Sequence, residues 1–473
     1  MDTPRRRFLQ SVATLTAGGL LAGCQSGEGD VTTTETPNGT ATPTEPPTDE
    51  SDGDQSTDAE ALKQRAQEYV RLLDDGKFEA AHDEFTEQTA AAITVDQLER
   101  AWNGTAGQKG SLQEITETEH RGTGDAGEVV VVRARFENGT QQFNFVFTTE
   151  GITGFRIVPA ETVEWTPPTY VDQSAFTERE LTLSAPGDCS LGATLTVPEN
   201  GQSVPGVVLV HGNGAQDRDE TIGPNKTFKD IAWGLASRGI AVLRYDKRTY
   251  ACDVDRADAT IDDIVTDDAL TALDRLRSVE GVDSVFVAGH SFGGLLAPRI
   301  AKRDGNLAGV VMLAPGPARP MADAIVAQTE HLANVDGTVT DAEQQQLEQV
   351  REMAEKIRTL DIDDDEIVNN YGGDEYYRTL REYDHTATVQ DLSIPRYVAQ
   401  GGSDWQVTVE EDLDRWRTAL ERESTATIEV YPDLNHHFQE STGKETAQEY
   451  QEPDSHVAER LVADIVSFVT THG

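Results

Sequence analysis

Hydrophobic positions fall into three regimes along the chain. From residue 25 to residue 58 they nearly vanish, and Thr, Pro, Glu, Asp and Gly dominate. Such a stretch cannot bury a core, so it predicts a solvated, extended tether. Over residues 59–166 the pattern changes. Ala61, Leu62, Tyr69, Val70, Leu72 and Leu73 recur at helical spacing, followed by Phe78, Ala81 and Phe85, then Ile93, Leu98 and Trp102. Strand-like runs over 128–136, 141–148 and 153–159 come next, separated by turns at Asn138-Gly139 and Glu150-Gly151. Helices followed by consecutive strands predict a small α+β unit.

The third regime, 167–473, alternates strands with helices and predicts a doubly wound α/β sheet. Strands are expected at 177–183 and 191–197 as an opening hairpin, then at 206–210, 240–245, 285–288, 308–313, 396–400 and 426–430. Helices are expected at 228–237, 261–277, from about Gly293, and at 456–470. Residues 320–390 interrupt this alternation between two strands with helical stretches at 321–332 and 341–360, as a cap over a site would.

Candidate chemistry begins where a strand meets a helix. Gly289-His290-Ser291-Phe292-Gly293 is a G-x-S-x-G turn. A serine hydroxyl is a weak nucleophile unless a tight turn projects it toward a base, and the glycines make room for that turn. Asp404 follows a strand, 113 residues after Ser291, and His436 comes 32 residues later. Ser, then Asp, then His is a known triad order. In it a histidine, His436 or its neighbour His437, takes the proton from Ser291 while Asp404 orients the ring and stabilises its charged form. His437 is a second candidate base, and Asp433 a second candidate acid set too close in sequence to His436. His290 reads as packing at the turn. Backbone N–H groups of Phe292 and of Asn213, in the His211-Gly212-Asn213-Gly214 loop, are the candidate oxyanion donors, with Gly214 as the alternative to Asn213. No His/Cys/carboxylate cluster has metal-ligand spacing and no phosphate-cradling loop occurs, so neither a metal nor a cofactor is expected.

The run from Val207 through Asn213, Asp217-Arg218-Asp219-Glu220 and Tyr245-Asp246-Lys247-Arg248, with the serine turn, Gly402-Ser403-Asp404-Trp405 and Leu434-Asn435-His436-His437-Phe438, resembles a family of α/β-hydrolase serine hydrolases. That family includes thermophilic carboxylesterases and peptidase-like relatives. The resemblance spans about residue 170 to the C-terminus. It implies an α/β-hydrolase fold, cleavage of carboxylic esters with short acyl chains, a helical cap and, from the pattern Leu-Asn-His-x-Phe, His436 in preference to His437 as the base. The turn after Lys247 departs from the family by continuing as Arg248-Thr249-Tyr250-Ala251-Cys252 without glycines. Residues 59–166 resemble NTF2-like domains of unknown function found ahead of exported hydrolases, with packing or spacing as the expected role. A peptidase or amidase on the same triad, and an inactive surface-binding protein, are the alternatives.

Charge and the N-terminus set the surroundings. With 39 Lys+Arg against 84 Asp+Glu the chain of 473 residues carries −45. This excludes nucleic acid and anionic lipid as favoured partners. Acid spread over the whole chain, with 30 Arg and 9 Lys, fits the carboxylate surface of a salt-adapted, haloarchaeal protein. Residues 1–24 carry Arg5, Arg6 and Arg7 before a short apolar run ending Leu21-Ala22-Gly23-Cys24. They resemble a twin-arginine lipoprotein signal, with lipid attached at Cys24. The expected product is an exported protein anchored to the outer face of the membrane. Cys189 and Cys252 could then pair or stay free. Asn38, Asn103, Asn138 and Asn225 begin glycosylation sequons.

Overall fold

The computed structural model describes residues 52–473, apart from 87–88, 91–92, 125–126, 138, 160–164, 188, 200, 336, 448 and 453. The signal segment, Cys24, most of the tether, Asn38 and Asn138 therefore lie outside the described residues. The chain divides into two units between Thr162 and Val163.

The first unit holds helices α1 (Asp52–Asp74), α2 (Phe78–His82) and α3 (Val95–Lys109) and strands β1 (Leu112–Gly124), β2 (Gly127–Phe136), β3 (Gly139–Thr148) and β4 (Gly151–Pro159). The strands pair antiparallel in sequence order. Helix α1 starts at Asp52, inside the segment read as tether. Helix α3 starts at a capping box in which Thr94 and Gln97 exchange hydrogen bonds. Ala66, Tyr69, Val70 and Leu73 of α1 pack with Val130, Val132 and Ala134 of β2 and Phe143, Phe145 and Phe147 of β3. Strand β1 escaped the sequence reading because its residues are largely polar: it packs only Leu112 and Ile115 against this core.

The second unit opens with β5 (Phe176–Ala185) and β6 (Cys189–Pro198), the expected hairpin, then β7 (Val204–Val210). A short ribbon of β8 (Thr221–Ile222) and β9 (Asn225–Lys226) leads into α4 (Thr227–Ala236). Next come β10 (Ala241–Tyr245), α5 (Arg248–Ala251) and α6 (Asp267–Arg277), the last preceded by a π-helical turn over Asp262–Thr266. They are followed by β11 (Val282–His290), α7 (Phe292–Asp304) and β12 (Gly309–Leu313). Helices α8 (Met321–Asn334), α9 (Asp341–Thr359), α10 (Asp374–Glu382) and α11 (His385–Gln390) form the insertion. Then β13 (Arg396–Gly401), α12 (Asp414–Leu420), β14 (Ala426–Tyr431) and α13 (Glu459–His472) close the chain. Thr340 and Glu343 cap α9 at its expected start.

Eight strands form one mixed sheet in the order β14-β13-β12-β11-β7-β10-β6-β5. The six strands β7 and β10 to β14 run parallel, and the opening hairpin is antiparallel at one edge. Strand β7 shows why its sequence is apolar without alternation. Val208 and Val210 join the core beneath α6 and α7, while Val207 and Leu209 join the core beneath α4 and α13. A disulfide links Cys189 to Cys252, resolving the open question of those thiols. Asn225 is buried, and its amide donates to the carbonyls of Tyr450 and Glu452. That sequon therefore offers no acceptor for a glycan in the folded protein. Among the described residues no helix is long and apolar enough to cross a membrane.

Candidate active site

The parallel strands put four loops at one edge of the sheet, where their C-terminal ends open. These are the loops after β7, β11, β13 and β14, and they carry Asn213, Ser291, Asp404 and His436 respectively.

Ser291 sits between β11 and α7 with φ +53° and ψ −117°, a conformation that L-residues avoid. The neighbours permit it. A Cβ at position 289 would run into the Gly293 carbonyl, and one at 293 into the Val210 carbonyl. The turn is pinned by the Ser291 N–H donating to Leu313 O at 2.8 Å and by Gly316 N–H donating to Ser291 O at 3.1 Å. Phe292 is the first residue of α7, so its N–H belongs to the helix turn that lacks intrahelical acceptors. The loop carrying Gly212 and Asn213 lies against the serine: a Cβ on Gly212 would stand 3.1 Å from Ser291 Cβ.

Asp404 is buried, and each oxygen has work. Oδ1 accepts from the N–H groups of Gln406 and Val407 at 2.8 and 2.9 Å. Oδ2 accepts from Gln400 Nε2 at 3.0 Å and faces His436 Nδ1 at 2.7 Å. A carboxylate in that position holds the proton of His436 on Nδ1, which leaves Nε2 as the basic nitrogen.

The other candidates are placed elsewhere. His437 turns its Nδ1 to Thr227 Oγ1 at 3.0 Å, and burial keeps its pKa well below the ordinary histidine value. Asp433 is exposed and pairs with Arg460 at 2.7 Å.

Four further groups converge here that the sequence reading did not assign. Tyr376 of the inserted helix α10 donates its hydroxyl to Asn213 Oδ1 at 2.9 Å, and its ring stacks on Phe292 with centroids 5.9 Å apart. Lys247 is buried and donates to the Gly212 carbonyl at 2.6 Å, while burial lowers its pKa to about 7. Thr249 donates to the Gly214 carbonyl at 3.1 Å. Glu220 accepts from Gly212 N–H at 3.2 Å and faces His290 Nδ1 at 3.0 Å. His290, read as packing, is thus a polar partner. Ligand-type atoms of Glu220, His290 and His437 lie within 4.8 Å of one another, a grouping made by the fold and hidden from residue spacing. Hydrogen bonds engage both His290 nitrogens and His437 Nδ1.

Comparison with known proteins agrees with this architecture. A family model described as "Alpha/beta hydrolase family" matches residues 207–449, and one described as "Protein of unknown function (DUF3887)" matches residues 66–155. Esterase EstD of Thermotoga maritima is 35% identical over 419 residues, covering 86% of this chain and 95% of that protein. Among solved structures, Est1E from Butyrivibrio proteoclasticus with ferulic acid bound is 18% identical with a TM-score of 0.42, covering 62% of this chain and 98% of that one. An esterase of Pyrococcus furiosus is 15% identical with a TM-score of 0.41, covering 65% and 98%. With a model match over half its length and a relative alike across most of both chains, the protein belongs to the alpha/beta hydrolase family, as a carboxylesterase-like member behind a small N-terminal domain.

Proposed function

We propose that this protein hydrolyses carboxylic esters with short acyl chains through an acyl-enzyme on Ser291. His436 Nε2 takes the proton from Ser291 Oγ as the oxygen attacks the ester carbonyl. Asp404 holds the ring and stabilises its charge. The backbone N–H groups of Phe292 and Asn213 receive the oxyanion. The protonated His436 then gives its proton to the departing alkoxide. Water, activated by the same nitrogen, releases the acid and restores the serine.

The observation that carries this reading is the 2.7 Å contact between His436 Nδ1 and Asp404 Oδ2, with the Asp404 oxygens otherwise bound by donors from the end of β13 and the loop after it. The preference for short acyl groups rests on the family resemblance, with the buried Tyr376 bordering Phe292 and Asn213. The name of the Thermotoga relative favours an ester over an amide.

The test is hydrolysis of a chain-length series of p-nitrophenyl esters. Ser291→Ala and His436→Gln should each lower kcat by roughly 10³-fold or more. His437→Gln should stay within about ten-fold, because its ring faces Thr227. Full activity in Ser291→Ala, or failure of a fluorophosphonate to label Ser291, would sink the proposal. Residues Arg5–Arg6–Arg7 and Cys24 support, as part of this proposal, an exported and lipid-anchored state. Cys24→Ser should move the protein out of the membrane fraction, and unchanged membrane association would refute the anchor.

A further inference from the structure

Glu220 is an unusual residue for its position. It is 1% exposed and adopts φ +50°, a left-handed conformation that costs a non-glycine residue energy. A buried carboxylate in a strained backbone persists only when its surroundings hold it firmly. Glu220 Oε1 accepts from Gly212 N–H at 3.2 Å and lies 3.0 Å from His290 Nδ1. The other ring nitrogen, His290 Nε2, lies 2.9 Å from the backbone carbonyl of His436. Both atoms that His290 faces, a carboxylate oxygen and a carbonyl oxygen, can only accept. With Glu220 ionised, the ring satisfies both only by carrying a proton on each nitrogen, as an imidazolium. Glu220 Oε2 is buried with no hydrogen-bond donor among the described residues, so the carboxylate's hydrogen bonds are those of Oε1 with Gly212 N–H and His290.

The two side chains therefore join three loops. Gly212 immediately precedes Asn213, His290 immediately precedes Ser291, and the carbonyl held at the far end belongs to His436 itself. We propose that the buried Glu220–His290 ion pair is a positioning device for ester hydrolysis, clasping the oxyanion loop, the nucleophile turn and the catalytic-histidine loop in one frame. It rests on the reading of Ser291, His436 and Asn213 given above. Neither residue touches substrate. Their work is to keep groups supplied by separate loops within the few tenths of an ångström that proton transfer and oxyanion binding require.

The charge surroundings of His290 support the imidazolium. Glu220 faces it from the loop before β8, His437 and His436 from the loop after β14, and Asp404 from the loop after β13. The rings of Phe228 and Phe438 complete its shell. Burial alone would favour the neutral ring, but attraction to Glu220 and the hydrogen bonds to Glu220 and His436 outweigh it, and the pKa lies above the ordinary value. Glu220 likewise stays ionised: burial opposes the charge, yet His290 brings its pKa down to about 2. On the far side of Glu220 stand His211, which burial keeps neutral with a pKa of about 4, and Lys247.

The test uses Glu220→Gln in the full chain, which keeps the shape and removes the charge. Its kcat for a short p-nitrophenyl ester should fall roughly ten- to a hundred-fold while KM stays within about two-fold. The alkaline limb of its kcat–pH profile should move to lower pH by about one unit or more, because the lost carboxylate is what holds the second proton on His290. A residue that only supports the fold would lower kcat equally at every pH. A profile parallel to wild type, or a kcat within about three-fold, would overturn the clasp. Wild type supplies an independent reading should the variant fail to fold. Imidazole nitrogen chemical shifts should show His290 doubly protonated at pH 7, and a singly protonated ring would overturn the proposal. Loss of activity on chelation, restored by zinc, would overturn it in favour of a metal held by these side chains. Survival of hydrolysis in Ser291→Ala would refute the esterase reading instead, while leaving the nitrogen shifts informative about the pair.

Discussion

Removing one hydroxyl from the inserted helix tests whether the cap takes part in catalysis. In Tyr376→Phe the ring that stacks on Phe292 remains, so no cavity forms and the apolar contact is kept. What disappears is the hydrogen bond to Asn213 Oδ1 at 2.9 Å. Burial holds the Tyr376 hydroxyl far above the ordinary tyrosine pKa, so it is a donor at any working pH. A neutral hydrogen bond of this kind is worth about 0.5–1.5 kcal/mol net. Asn213 is only half-buried, so water can partly replace the lost donor and the lower half of that range applies to stability. The catalytic effect is separate. With its side chain released, the Asn213 peptide samples orientations in which its N–H misses the oxyanion. If the whole bond served that orientation, the upper figure would correspond to about ten-fold in rate. The expected result is therefore a kcat lower by roughly three- to ten-fold with KM changed less than about two-fold. Steady-state hydrolysis of p-nitrophenyl acetate and butyrate, beside a thermal melt of the same preparation, reads both quantities. An unchanged kcat with a lowered melting temperature would show that Tyr376 only packs. A raised KM at constant kcat would show that it binds substrate and leaves the oxyanion loop alone.

The Cys189–Cys252 disulfide closes a segment with a sequence separation of 63 and ties α5 to β6. A chain-entropy treatment of a loop of that size gives about 4 kcal/mol, so the Cys189→Ser/Cys252→Ser double variant should lose up to that amount in urea unfolding. Because Lys247 and Thr249 lie within the bridged segment, just before Cys252, and hold the Gly212 and Gly214 carbonyls, reductant should also lower wild-type kcat. A reduced enzyme with an unchanged urea midpoint and kcat would refute both. The charge of −45 predicts that melting temperature and activity fall as salt is lowered from molar to millimolar, and equal values at both ends would remove the salt-adapted reading.

What was legible in the sequence has a physical pattern. Strands buried on both faces, such as β7 and β12, announce themselves as unbroken apolar runs, and their ends locate loops to within a residue or two. Ser291 and Asp404 stand within three residues of such ends, so strand assignment and chain order pointed to them together, whereas His436 follows the alternating edge strand β14 and was told from His437 by the family resemblance. Strand β1 was not legible because an edge strand with polar residues on both faces has no apolar rhythm. Helices α10 and α11 were missed for a related reason: they are short, and α10 buries little more than Tyr376 and Tyr377.

The residues of the site that went unassigned share a different cause. Glu220, Tyr376 and Lys247 act on backbone atoms or on a neighbouring amide, and such work needs no motif or fixed spacing. Tyr376 meets Asn213 across 163 positions and His290 meets Glu220 across 70, so only the folded sheet brings them together. Glu220 did leave one trace, as the carboxylate of the Asp217-Arg218-Asp219-Glu220 run after an apolar strand. On a chain this acidic that trace is indistinguishable from surface charge. Its burial and its partner together mark it: like Asp404 against His436, Glu220 is an enclosed carboxylate held against a ring beside Ser291, and its removal should change chemistry as well as solubility.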